Sequence, residues 1–406
     1  MDKPERPPSW PMIASGMLVT GVAVAFARLA YGLILPAMRE SLGISYREAG
    51  HLGTASALGY LCFVMIAGVI AARRGARFSV LLGTVLTTGG FIGLSLSNSY
   101  LWMLLFMLLL GFGTAFAFTP VISLLASWFP ERRGAVIGMT NSGIGIGMLC
   151  AGMLVPMLNS AYGGSGWRVT WAVFAAVSAA AAAAAFVFLR NPPRAVAASA
   201  TGAAAEAAIA SAGSVYRNRH VMTVGLLYAV VGLTYISQAI FMVSFALASG
   251  VPAATAGRLA AMMGILSIFS GPCWGWVSDR VGRASSLMVA VSLTLAGTLI
   301  PVIWQSTVGF TVHYLVVGCT VSGMFTSVLA ASSETVHPRQ APLAVSFVTL
   351  FYATGQFIGP AISGVLIEGA GGFRAAFATS CVILTLGVYL SWRLKILSRR
   401  VAPARA

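Results

Sequence analysis

Of the 406 residues, 58% are hydrophobic and only 8% charged, with a formal net charge of +16. So few charges cannot cover a soluble protein of this length, and no metal-ligand cluster, nucleophile–base arrangement or ATP-binding loop stands out, which excludes an enzyme, a cofactor carrier and an ATP-driven pump. The basic excess is scattered through short segments rather than clustered, so the partner it fits is the headgroup layer of a bilayer and not nucleic acid.

Apolar runs long enough to cross about 30 Å of hydrocarbon recur along the chain. They are continuous rather than alternating, which predicts helices. The polar, proline-rich start, MDKPERPPSW, is not expected to be a cleaved leader. The first span covers 12–36 and carries Arg28 in its interior. The second, 49–72, runs into GVIAARRGAR, and the third and fourth cover 78–97 and 101–128. The fifth, 135–158, follows SWFPERRG, and the sixth, 167–189, opens on WRVTW. An Ala/Ser/Gly-rich stretch then reads as a linker. Six more spans follow at 220–248, 254–277, 284–304, 307–333, 341–367 and 373–396. The chain thus divides into an N-terminal six-helix bundle (1–190), a linker (191–218) and a C-terminal six-helix bundle (219–406). Cys62, Cys150, Cys273, Cys319 and Cys381 all fall inside spans, where they are expected as small buried residues without disulfides. His51 and His313 are expected near the outer ends of their spans.

The two sets of six repeat each other at a nearly constant offset. Gly68 and Gly75 match Gly275 and Gly282, 207 residues on; WRVTW and FRAAF are 206 apart; Pro130 and Pro338 are 208 apart. Such agreement points to a duplication. Nineteen of the 25 lysines and arginines fall on the side that holds both termini and the linker, and five on the other. That asymmetry predicts cytoplasmic termini in a multi-pass inner-membrane protein.

Two six-helix halves joined by such a linker resemble the major facilitator superfamily over nearly the whole chain. GWVSDRVGR resembles that family's G-x-x-x-D-R-x-G-R signature at Gly275, Asp279, Arg280, Gly282 and Arg283, while the N-terminal copy has Ala72 in place of the Asp. The resemblance implies a conformational latch that ties helix ends across the two halves. On physical grounds Asp279 is also placed to accept from the amides that open the next helix. SWFPERRGAVIGMTNSGIGIG is similar to a loop of organic-anion and monocarboxylate members. The R-x-x-Y-G-x-x-x-P of Arg28, Tyr31, Gly32 and Pro36 resembles a poorly characterised bacterial branch. The Gly-Pro of drug:proton antiporters is absent from the fifth span, where Ala151-Gly152 stands instead.

Arg28 lies about eight residues inside Pro36, roughly 12 Å at 1.5 Å per residue. A lipid-facing arginine at that depth costs at least about 2.5–3.5 kcal/mol. It is therefore expected to face a watery cavity or a protein partner, and the resemblance implies that its small-residue stripe of Gly21, Ala25, Arg28, Tyr31 and Gly32 lines the central pathway. No Asp or Glu lies in the middle of a span to pair with it. A buried cation without a counter-ion suits an anionic substrate, and a guanidinium suits a carboxylate. The alternatives are a cap on backbone carbonyls or snorkelling to the interface. Tyr60, Asn141, Tyr228, Tyr235, Gln238, Tyr352 and Gln356 are candidates to complete the pocket, although each on its own also fits a bond to a neighbouring helix. The expectation is a monomeric secondary transporter of a small organic anion, a monocarboxylate, with protons as a candidate coupling partner. Efflux of a neutral or amphipathic solute, a sugar or drug, is the alternative.

Overall fold

The computed structural model describes residues 9–129, 132–191, 215–332, 334–336, 340–369 and 371–401, which are helical or in short turns with no strand among them. Most of the expected linker, as well as Pro130 and Pro338, lies outside the described residues.

The first span is composite. An α-helix, α1 (Ser9–Thr20), continues as a π-helix (Gly21–Leu29), and after Ala30 as α2 (Tyr31–Leu42). The expected end at Pro36 is not an end. Pro36 sits inside α2, which runs on to a left-handed Gly43 at φ 66°. Proline removes one ladder donor, but the turns on either side keep the helix. The other eleven spans are α3 (Tyr46–Arg74), α4 (Ala76–Leu96), α5 (Tyr100–Trp128), α6 (Arg133–Tyr162), α7 (Gly166–Phe188), α8 (Arg219–Ala248), α9 (Ala253–Val281), α10 (Arg283–Ile303), α11 (Thr307–Ser332), α12 (Ala341–Glu368) and α13 (Gly372–Val401). Ser45 starts α3 with a capping box: its hydroxyl accepts from the Glu48 amide while the Glu48 carboxylate accepts from the Ser45 amide.

The duplication is visible in backbone and side chains. Gly75, between α3 and α4, has φ 94° and ψ 146°; Gly282, between α9 and α10, has φ 85° and ψ 144°. Only glycine adopts that turn without strain. Arg168 donates to the carbonyls of Ser95 and Ser97 at the end of α4, and Arg374 donates to Val302 at the end of α10. Each arginine thus satisfies carbonyls that the end of the neighbouring helix would otherwise leave bare.

We call the side on which α1 begins and α13 ends the terminal side and the opposite one the far side. The two halves meet from the middle of the membrane to the far side, through glycines. A Cβ on Gly50 would lie 2.4 Å from the Pro360 carbonyl oxygen, and one on Gly152 would lie 2.6 Å from that of Gly257. Thr54 donates to the Phe357 carbonyl (3.1 Å), and Tyr46 packs edge-on to Phe241 and Phe373. At the far-side rim Arg47 pairs with Glu368 (3.7 Å) and donates its amide to the same carboxylate (3.0 Å). Toward the terminal side the helices part. Gly68 on α3, Gly138 on α6 and Gly275 on α9 have nothing within 4 Å of where a Cβ would stand. The gap between the halves therefore opens on the terminal side.

Four cysteines correct the expectation of burial. Cys62, Cys150, Cys273 and Cys319 are exposed on helix faces and only Cys381 is buried; all five are free thiols. A thiol is apolar enough to face lipid.

Candidate substrate site

The site forms where the first span leaves regular α-helical geometry. Small residues bring it hard against α6: a Cβ on Gly143 would stand 1.9 Å from the Met17 carbonyl oxygen, and one on Gly21 would stand 2.9 Å from that of Gly143. In the π-segment the ladder is wider, closed by Ala30 N–H donating to Ala25 C=O (2.7 Å), and the Ala23 carbonyl accepts from the Thr114 hydroxyl (2.7 Å). Such insertions re-aim side chains and recur at functional sites.

Arg28 stands in the last turn of that segment, half-buried, at the level where the halves separate. Its Nη2 donates to the Gln356 amide oxygen on α12. Its guanidinium lies 4.9 Å from the ring centre of Tyr60 on α3, a cation–π contact. Among the described residues it makes no ion pair. Aromatic rings continue the wall on the C-terminal half. Tyr228 and Tyr352 stack at 4.4 Å, and Phe325 stands edge-on to Tyr352 (5.3 Å), to Tyr235 (5.4 Å) and to Tyr228 (6.0 Å). Tyr235 is 207 residues after Arg28, so the duplicated position carries a cation in one half and a phenol in the other.

Arg28, Tyr60, Tyr235, Tyr352 and Gln356 thus come together, with Tyr228 beside them. Three expected members do not join. The Tyr31 hydroxyl donates to the Ala49 carbonyl (3.0 Å), tying α2 to α3. Asn141 lies near the Thr20–Thr140 bond, well to the terminal side of Arg28, with its Oδ1 buried and unpartnered. Gln238 accepts from Thr298 (3.2 Å) and lines a separate small cavity beyond Tyr235. Phe325 joins this candidate cluster through its ring contacts, and nothing in the sequence marks one phenylalanine among many on an apolar helix.

His313 is not interfacial as expected. It is buried at 2% exposure, its Nδ1 2.9 Å from the Gly297 carbonyl oxygen, whereas His51 is exposed. The signature loop also differs in detail. Asp279 is exposed and does not cap α10, whose N-terminus has no side-chain cap. Arg280 lies over the Trp276 ring of its own helix (3.7 Å), and Arg283 donates to the Ala330 carbonyl (2.9 Å). In this conformation, open on the terminal side, these contacts stay within the C-terminal half.

Comparison with known proteins follows the same lines. Residues 20–392 match the family described as uncharacterised MFS-type transporter YbfB. Human monocarboxylate transporter 11 is 24% identical over 96% of this chain and 84% of its own length. The hexuronate transporter of Bacillus subtilis (strain 168) is 24% identical over 44% of this chain and 42% of its own length. Among solved structures, a bacterial homologue of the human lysosomal transporter Spinster, inward-facing and unoccupied, superposes with a TM-score of 0.79 at 17% identity. It covers 96% of this chain and 98% of that one.

Proposed function

The chain belongs to the MFS-type transporter family described under YbfB, a family of multi-pass membrane transporters, and on that premise we propose that it carries a small organic monoanion, a monocarboxylate, by alternating access. The observation that carries this reading is Arg28. A permanent cation stands inside the first span, at the inner end of the gap between the halves, with a neutral amide and a ring face as its partners. Desolvating a guanidinium against neutral groups leaves its charge uncompensated. A carboxylate entering from the open side supplies the missing charge through directed N–H···O bonds. One fixed cation matches one negative charge.

The halves, residues 1–190 and 219–406, rock about the glycine contacts in this reading, and the linker spans them. The excess of basic residues on the terminal side supports a cytoplasmic membrane location with both termini inside. The signature residues Gly275, Asp279, Arg280, Gly282 and Arg283 act as a latch when the terminal side closes. An empty carrier with Arg28 uncompensated reorients slowly, which favours exchange of anions or symport of anion with proton over leak. The ring-lined wall also suits a neutral amphipathic solute, and charge separates the two readings. A thermal-shift screen of carboxylates, sugars and neutral drugs tests them: at a hundred times Kd a true ligand stabilises by about 2.7 kcal/mol. Carboxylates should stabilise the wild type and not Arg28→Ala; stabilisation by neutral compounds alone, equal in both proteins, overturns the anion reading.

A further inference from the structure

Beyond Tyr235, on the far side of the Arg28 cage, lies a small cavity of ≈ 30 Å³, room for about two waters. Its walls are mostly apolar, with Met148, Met242 and Met263 prominent, yet three buried polar side chains with unused capacity converge on it. Tyr314 is 4% exposed, and its hydroxyl has no partner among the described residues. Gln238, also 4% exposed, uses its oxygen to accept from Thr298 (3.2 Å), which leaves the amide N–H donors. His313 spends Nδ1 on the Gly297 carbonyl, and with that nitrogen protonated Nε2 remains an acceptor. Buried polar groups without partners are costly, so a donor–acceptor set of this kind, two donors and one acceptor, calls for an occupant.

We propose that this cavity is a second subsite that takes a neutral hydroxyl at the distal end of the substrate, so that the carried species is an ω- or ring-hydroxylated monocarboxylate rather than a plain hydrocarbon acid. The inference rests on the anion reading of Arg28. A hydroxyl fits the set in both directions: it accepts from Tyr314 or Gln238 and donates to His313. Three features favour the substrate over trapped water. The cavity adjoins the Arg28 cage, because Leu29 is the next residue along the chain and Tyr235 borders both. Its walls come from both halves, Leu29 and Met148 from one and Tyr235 to Val317 from the other, so rocking opens and closes it; a structural water is expected inside one rigid body. Methionine walls adapt to a guest. Gln238 stands three residues beyond Tyr235, about 5 Å farther along the helix, so a hydroxyl that reaches it is held away from the carboxylate at Arg28 by a spacer such as a benzene ring and cannot sit on the adjacent carbon.

The test compares phenylacetate with 4-hydroxyphenylacetate, and propionate with lactate, by binding to the purified full chain. One hydrogen-bonded hydroxyl should favour 4-hydroxyphenylacetate about 3–10-fold. Lactate, whose hydroxyl is too close to its carboxylate to reach, should bind like propionate. Tyr314→Phe deletes a hydroxyl that bonds nothing among the described residues, so the fold is kept; the preference should fall below about 2-fold with phenylacetate affinity unchanged, and Gln238→Leu should lower it likewise. Equal binding of the two aromatic acids by the wild type, or a preference that persists in both variants, overturns the subsite and leaves the cavity to water. If that happens while phenylacetate binding still requires Arg28, the anion reading stands alone. Absence of binding by every carboxylate overturns both.

Discussion

A single methyl group at Gly50 should bias the whole molecule toward the state open on the far side. Gly50 on α3 faces the Pro360 carbonyl on α12, and an added Cβ would lie 2.4 Å from that oxygen and 3.2 Å from its carbon. An ordinary C···O contact needs about 3.3 Å, so α3 and α12 must part by roughly 1 Å at the centre of the far-side seal. Both neighbours are backbone, so no side chain can swing aside. Overpacking of this kind costs about 1–3 kcal/mol, charged only to the conformation in which the helices touch. The equilibrium between far-side-closed and far-side-open forms should therefore move by about 5- to 150-fold. Amide hydrogen exchange read by mass spectrometry over 46–54 and 357–366 reports it directly, and both segments should exchange faster in Gly50→Ala. Gly68→Ala on the same helix is the control, because a Cβ there meets nothing within 4 Å. If Gly50→Ala exchanges like wild type and like Gly68→Ala, the far-side glycine seal is not what closes this state.

Three further outcomes follow from single contacts. Tyr31→Phe removes the hydroxyl bond to Ala49 and should lower stability by about 1 kcal/mol with ligand affinity unchanged; a loss of affinity without loss of melting temperature would return Tyr31 to the site. Asp279→Asn, at an exposed carboxylate that caps nothing in this state, should slow turnover in proteoliposomes while leaving affinity alone, and unchanged turnover would make the signature an ordinary loop. Preloading vesicles with unlabelled substrate should accelerate labelled uptake, because an empty carrier holds Arg28 uncompensated; equal rates from empty and loaded vesicles, with no pH gradient, would contradict that.

The spans, the repeat and the centre of the candidate site are legible for one physical reason: in an apolar helix each polar residue stands out. Arg28, Gln356, Tyr60 and Tyr352 were read that way, and the paired Arg168 and Arg374 mark the duplication through equivalent bonds to helix-end carbonyls. A regular α-helical period through Gly21–Leu29 would put Tyr31 on the stripe with Arg28, but the chain there is a π-helix. The wider turn shifts the register, and Tyr31 comes out facing α3 instead of the gap. Gln238 and His313 looked like separate polar residues, and only the packing of α8 against α10 and α11 shows that they share a cavity. Phe325 carries no signal at all in sequence.

The central claim is that Arg28 binds the negative charge of the substrate, and counterflow in proteoliposomes tests it most directly. The assay compares the carboxylate that stabilises the protein most with its uncharged primary amide, in wild type, Arg28→Lys and Arg28→Ala. The account predicts exchange of the carboxylate and not the amide by wild type, weaker exchange by Arg28→Lys, which keeps the charge but loses the planar fork, and none by a folded Arg28→Ala. Undiminished carboxylate counterflow by Arg28→Ala would contradict it.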